Sequence, residues 1–100
     1  MKITKENKDD AILIKLEGWL DHENSPALGS VVDEITSAKD LTIDFADVEY
    51  ISSAGIRQIV AANKKAKELN ASFSVIHVRP DVMSVFAITG LDKKLNIKAD

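Results

Sequence analysis

The residues that could do chemistry gather in one short stretch. Ile51-Ser52-Ser53-Ala54-Gly55 sets two hydroxyls and a glycine between an apolar run, Leu41 to Phe45, and a helical pattern that follows. A helix start leaves its first N–H groups without intrahelical partners and carries partial positive charge. A serine there acts as a cap or as a place for an anion, and the two roles are compatible. As a cap, Ser52 or Ser53 accepts an N–H and contributes about 1 kcal/mol. As a phosphoacceptor, Ser53 would gain about −1.5 to −2 charges at a helix end that tolerates them.

Other chemistries fit less well. A strand-to-helix turn with a serine resembles a nucleophile elbow, but the elbow needs GxSxG and the glycine before the serine is missing here. The only imidazoles are His22 and His77, on different elements, and neither is assignable as a base. No HxxxH or HExxH spacing exists, so no metal site is expected. His77 reads as a satisfied strand residue and His22 as a loop residue. The glycines, Gly18, Gly29, Gly55 and Gly90, are scattered, and neither a P-loop nor GxGxxG is present, so no nucleotide cofactor is expected. The expectation is a binding module and not an enzyme.

The elements that must position the serines follow from periodicity. Ile3 and its neighbours form a short first strand, and Asn7 to Asp10 a turn. In Ala11–Glu17, Ile12, Ile14 and Leu16 alternate with Leu13, Lys15 and Glu17, which predicts a half-exposed strand paired to the first as a hairpin. Gly18 ends that pattern. Asn24 or Ser25 can cap a helix from about Pro26 to Ser37, with Leu28, Val31, Val32 and Ile35 as its stripe. Gly29 inside it costs about 1 kcal/mol relative to alanine. Leu41–Phe45 predicts a third strand and Ala46–Ile51 an apolar bend. A second helix is expected from near Ser53 to about Asn70, its stripe Gly55, Ile59, Ala62, Ala66 and Leu69, widened by Ile56 and Val60. Ser72–Val78 is rich in β-branched and aromatic residues and predicts a fourth strand. Arg79-Pro80-Asp81 opens a third helix with Val82, Val85 and Phe86 inward and Gly90 at its C-terminus. Leu91 to Ile97 holds one more short strand or tail, near Leu95–Ile97.

This order predicts an α/β fold: one domain over residues 1–100, with a mostly parallel mixed sheet of four to five strands, an N-terminal antiparallel hairpin and three packed helices. The chain has no cysteine, hence no disulfide framework or thiolate metal site. Net charge is −3 with lysines and acids interspersed, and the densest basic patch, Lys64, Lys65 and Lys67, reads as a solvated helix face. No nucleic-acid partner is expected. The N-terminus lacks an apolar signal region, and no apolar run approaches the roughly 18 residues of a membrane span. The expected location is the cytoplasm, with no membrane insertion.

With those elements placed, Leu41–Ile56 resembles the core motif of the STAS domain, named for sulfate transporters and anti-sigma factor antagonists. The motif is a buried strand, an Asp/Asn-led bend with an aromatic before Ile/Met, then Asp/Ser-Ser-Ser/Thr/Ala-Gly-Leu/Ile. Gly18-Trp19-Leu20-Asp21 resembles the family's Gly-x-Leu-Asp. Val78–Val82 resembles its strand-to-helix step, and Ile88-Thr89-Gly90-Leu91 its Gly-Leu step. More narrowly, the chain is similar to free-standing bacterial anti-sigma factor antagonists.

That resemblance implies a partner switch. The unmodified protein would bind an anti-sigma factor that is also a serine kinase, an ATPase of the histidine-kinase-like fold, and so free the sigma factor. Phosphorylation of one serine would end the complex, and a PP2C-type phosphatase would restore it. By position the acceptor is Ser53, two before Gly55, with Ser52 as a minor candidate where the family often has Asp. The docking patch would comprise Asp21, His22, Ser52, Ser53, Gly55 and Ile56. The alternative implied by the same family is a subunit of a transporter, for example of a membrane lipid-transport complex, or of a signalling assembly, with no sigma factor involved.

Overall fold

A computed structural model describes residues 1–99. Nine elements follow in order: β1 (Lys2–Lys8), β2 (Ala11–Leu20), α1 (Ser25–Asp33), β3 (Asp40–Ile51), α2 (Ser53–Glu68), β4 (Ser72–Val78), α3 (Pro80–Ile88), α4 (Leu91–Lys94) and β5 (Ile97–Ala99). The sheet order equals the chain order, with β1 antiparallel to β2 and every other neighbour parallel. Asp9 and Asp10 both take positive φ (53° and 66°), the geometry of a two-residue hairpin turn whose twist matches its strands.

Each parallel step moves one strand along the sheet in the same direction. Right-handed crossovers then put all the helices on one face. The burial pattern agrees. Ile12, Ile14, Leu16 and Leu20 of β2, Leu41, Ile43 and Phe45 of β3, and Phe73 and Val75 of β4 are buried with Leu28, Ile59, Ala62, Val82 and Phe86 of the helices. Phe45 and Phe86 rings, 6.0 Å apart and tilted by 48°, pin α3 to the sheet. Among the described residues the opposite face has no helix on it, and it carries Lys15, Glu17, Trp19, Thr42, Asp44 and Ser74, half-buried or exposed.

Several boundaries differ from the sequence expectation. α1 ends at Asp33, not Ser37. Ile35, the last residue of the expected stripe, is buried in the link that follows, as is Ala38, so its helical spacing reflects packing of an irregular segment. That link is drawn back to the hairpin, where the Lys39 amide donates to the Asp10 carbonyl at 2.8 Å. The expected bend at Ala46–Ile51 is instead the second half of β3. Between the Lys15–Asp44 and Leu20–Ile51 pairings, β2 advances five residues and β3 seven, through two register shifts. These irregularities space the inward residues Phe45, Val48 and Ile51 by three, which does not read as a strand's period of two. Val60, expected to widen the stripe of α2, is 42% exposed.

A fourth helix, the single turn Leu91–Lys94, occupies ground expected to be strand or tail. Gly90 (φ 77°) ends α3 in the left-handed conformation and starts this turn. Leu91 and Leu95 sit four apart and pack on the core. No helix among the described residues is long and apolar enough to cross a membrane.

Candidate functional site

The carboxyl ends of β2 and β3 lie side by side, since the strands are parallel and Leu20 is in register with Ile51. In an open α/β sheet that end is where loops converge and ligands are met. Here it brings together Asp21 and His22 after β2 with Ser52 and Ser53 after β3.

Ser52 is the cap of α2. Its extended backbone (φ −98°, ψ 176°) lets its Oγ accept from the Gly55 amide at 3.3 Å, while its carbonyl accepts the Ile56 amide at 2.9 Å. Its own N–H donates to the Leu20 carbonyl at 3.0 Å, and its hydroxyl lies 3.5 Å from the same oxygen. Ser52 therefore ties the helix start to the end of β2 as well as capping it. Ser53 is the first helical residue and is exposed. The first turn of α2 carries no acidic residue, so nothing on that turn repels an added anion.

Gly55 explains how the helix comes so close. A Cβ on it would stand 2.5 Å from the Leu20 carbonyl oxygen, 2.8 Å from Ile51 Cγ1 and 2.9 Å from Leu20 Cγ. Only glycine lets α2 begin against the strand ends. Gly55 and Ile56 are both buried. They hold the serines in place from beneath, whereas Ser53 and His22 are the exposed members of the expected patch.

Asp21 is half-buried and works locally. Its Oδ1 accepts the Asn24 amide at 2.9 Å, and its carbonyl accepts both the Ser25 amide (2.9 Å) and the buried Ser25 hydroxyl (2.5 Å). Asn24 stands at the N-cap of α1 without a side-chain capping bond; its Nδ2 donates instead to the Trp19 carbonyl at 3.1 Å. These bonds fold the β2–α1 loop into a fixed shape beside the serines.

His77 sits at a bulge of β4 with φ 58°, and its Nδ1 lies 3.0 Å from Asp44 Oδ1. Asp44 also accepts the Ala46 amide at 2.9 Å, and Arg79 Nε donates to the Ala46 carbonyl at 3.1 Å. This node braces the bulged part of β3.

One exposed feature lies outside the motifs read from the sequence. Trp19 and Tyr50, in register on β2 and β3, are 54% and 45% exposed, and their rings lie 5.1 Å apart at 43°. The signal was present: Trp19 falls on the odd-numbered, outward set of β2 with Leu13, Lys15 and Glu17.

A sheet wound in chain order, with helices on one face and a capped serine at a strand-to-helix step, defines a class. The family described as "Mlab, STAS domain" matches residues 3–97, and the chain belongs to it. Among its relatives is the anti-sigma-B factor antagonist of Bacillus subtilis, 29% identical over 96 residues, which cover 95% of this chain and 87% of the relative. The crystal structure of an anti-sigma factor antagonist from Mycobacterium paratuberculosis matches with a TM-score of 0.87 at 25% identity, covering 99% of this chain and 86% of that one. The fold is also that of SpoIIAA. Its unphosphorylated form gives a TM-score of 0.72 at 13% identity, covering 99% of this chain and 88% of that one. The phosphorylated form, from Bacillus, gives 0.76 at 15%, with 96% and 90% covered.

Proposed function

We propose that this protein is an anti-sigma factor antagonist switched at Ser53. In its unmodified form it binds an anti-sigma factor that doubles as a serine kinase, and the sigma factor is released. Phosphate on Ser53 ends that complex, and a PP2C-type phosphatase resets it. The observation that carries the reading is the division of labour between the two serines. Ser52 is committed to Gly55 and Leu20, which leaves Ser53 as the exposed hydroxyl at the helix start.

The physics suits a switch without a large rearrangement. A phosphate at the first helical position meets the free N–H groups and positive end of α2, so the fold accommodates it. The same dianion on a docking surface repels an acidic contact or leaves a charge desolvated. A change of about 2.7 kcal/mol is roughly 100-fold in affinity. Solved structures of SpoIIAA in its unphosphorylated and phosphorylated forms both share the fold of this chain.

The reading is tested by pulling down the kinase partner with wild-type protein, Ser53→Ala and Ser53→Asp. The Ala form should bind like wild type and the Asp form should not. Equal binding by the Asp form would sink the charge switch, whereas no binding by any form would favour the other role open to this fold, a subunit docked on a transporter or scaffold.

A further inference from the structure

The Trp19–Tyr50 pair lies on the face of the sheet that bears no helix. Leu16 and Leu20 are buried against the helices, so Glu17 and Trp19, alternating with them, point the other way. Glu17 is in register with Asp47, and Trp19 with Tyr50. Two successive rungs on this face are thus a pair of carboxylates and a pair of aromatic rings. The arrangement depends on the irregularities of β3. Without the two extra residues, Trp19 would face Val48 and Glu17 would face Ala46, and neither rung would form.

Two large aromatic rings, each about half exposed and tilted by 43° to one another, are a costly thing to leave in water. They lie beside carboxylates that are also exposed. Lys2 reaches Glu17 at 3.8 Å, but with side chains 75% and 50% exposed that pair holds Glu17 only weakly. A guanidinium is the group that uses both rungs. Its planar face stacks on an indole or phenol ring, and its fork of N–H donors meets carboxylates in two-point contact. Outward positions two apart on a strand are about 7 Å apart, within reach of a single arginine or of two in one extended segment.

We propose that the Glu17–Asp47 and Trp19–Tyr50 rungs form a docking surface for an arginine-bearing segment of a partner protein. It adjoins the Ser53 end of the sheet but stands on its own residues. It therefore goes beyond the phosphoserine switch and does not need that switch to operate. The charge complementarity is local: four side chains in two rungs, acidic and aromatic, against a cation with a flat face.

The chain offers its own probe, because Trp19 is its only tryptophan and Tyr50 its only tyrosine. Full-length unphosphorylated protein is titrated with capped Arg-Gly-Arg, Lys-Gly-Lys and Gln-Gly-Gln peptides while tryptophan emission is followed. The Arg peptide should give a saturable change, with half-saturation at least about threefold below that of the Lys peptide. The Gln peptide should give none. Glu17→Gln with Asp47→Asn, surface changes that leave the core intact, should weaken Arg-peptide binding about fivefold or more. Tyr50→Leu should weaken it severalfold. Equal responses to the Arg and Gln peptides, or unchanged affinity in the carboxylate variant, would overturn the proposal. So would emission that shifts with protein concentration in the absence of peptide, since a second copy would then fill the patch. Ser53→Ala should bind the Arg peptide as wild type does, so failure here is distinct from failure of the phosphoserine reading.

Discussion

The Ser52 hydroxyl lies 3.3 Å from the Gly55 amide nitrogen, and this contact separates two serines that look equivalent in sequence. One is committed to the backbone of the helix it starts. Its neighbour, one residue along and on the helix itself, faces outward. The consequences for stability and for modification fall on different residues and can be measured apart.

Ser52→Ala should remove the cap and lower stability by about 1 kcal/mol. Ser53→Ala should change it by less than about 0.5 kcal/mol, as expected of an exposed position without a capping bond. Urea unfolding of the two variants, with unchanged m-values, checks both numbers. Equal losses would mean that the serines share the capping role.

Gly55→Ala should be the more damaging change at the same step. A methyl group there meets the Leu20 carbonyl oxygen at 2.5 Å, and a backbone atom cannot swing aside. A destabilisation of about 1–3 kcal/mol is expected from overpacking. The added methyl should also displace the start of α2, so amide shifts in an NMR spectrum should concentrate at Leu20, Ile51 and residues 52–57. Full stability would show that the helix start has slack.

His77 tests the bulge of β4. With φ at 58°, a β-branched residue is far worse suited than glycine. His77→Val should therefore be less stable than His77→Gly by about 1–2 kcal/mol. The glycine variant loses the contact to Asp44 but gains a relaxed backbone, so it should stay near wild type in thermal unfolding. A valine variant as stable as the glycine one would mean that the bulge relaxes freely.

The exposed ion pairs Lys5–Glu34 and Lys15–Glu6, at 3.9 and 4.0 Å, should matter little. Lys5→Gln and Lys15→Gln should each shift stability by less than about 0.5 kcal/mol, with no added loss in high salt. Larger, salt-sensitive losses would assign these pairs a structural role.

The parts legible in sequence were those where one period dominates. Ile12, Ile14 and Leu16 announce a half-exposed strand, and Ile59, Ala62 and Ala66 an amphipathic helix; both are where the alternation places them. The second half of β3 was not legible, because its irregularities space Phe45, Val48 and Ile51 by three. The expected extension of α1 to Ser37 rests on Ile35, which keeps the spacing of Leu28, Val31 and Val32 while packing from a link anchored on Asp10. At the site, the serine–glycine step could be read from residue types, but which serine caps could not. That depends on how close α2 comes to Leu20, a tertiary distance. The outward parity of Trp19 was readable. Its pairing with Tyr50 was not, since it rests on two residues of slippage between strands.

The proposed switch acts through Ser53 and not Ser52. The direct measurement is incubation with ATP and the partner kinase, followed by intact mass, site mapping and a binding assay on the modified protein. One phosphate on Ser53, with kinase binding lowered roughly 100-fold or more, is the predicted result. Phosphate on Ser52, or a Ser53-phosphorylated protein that binds the kinase as tightly as the unmodified one, would contradict it.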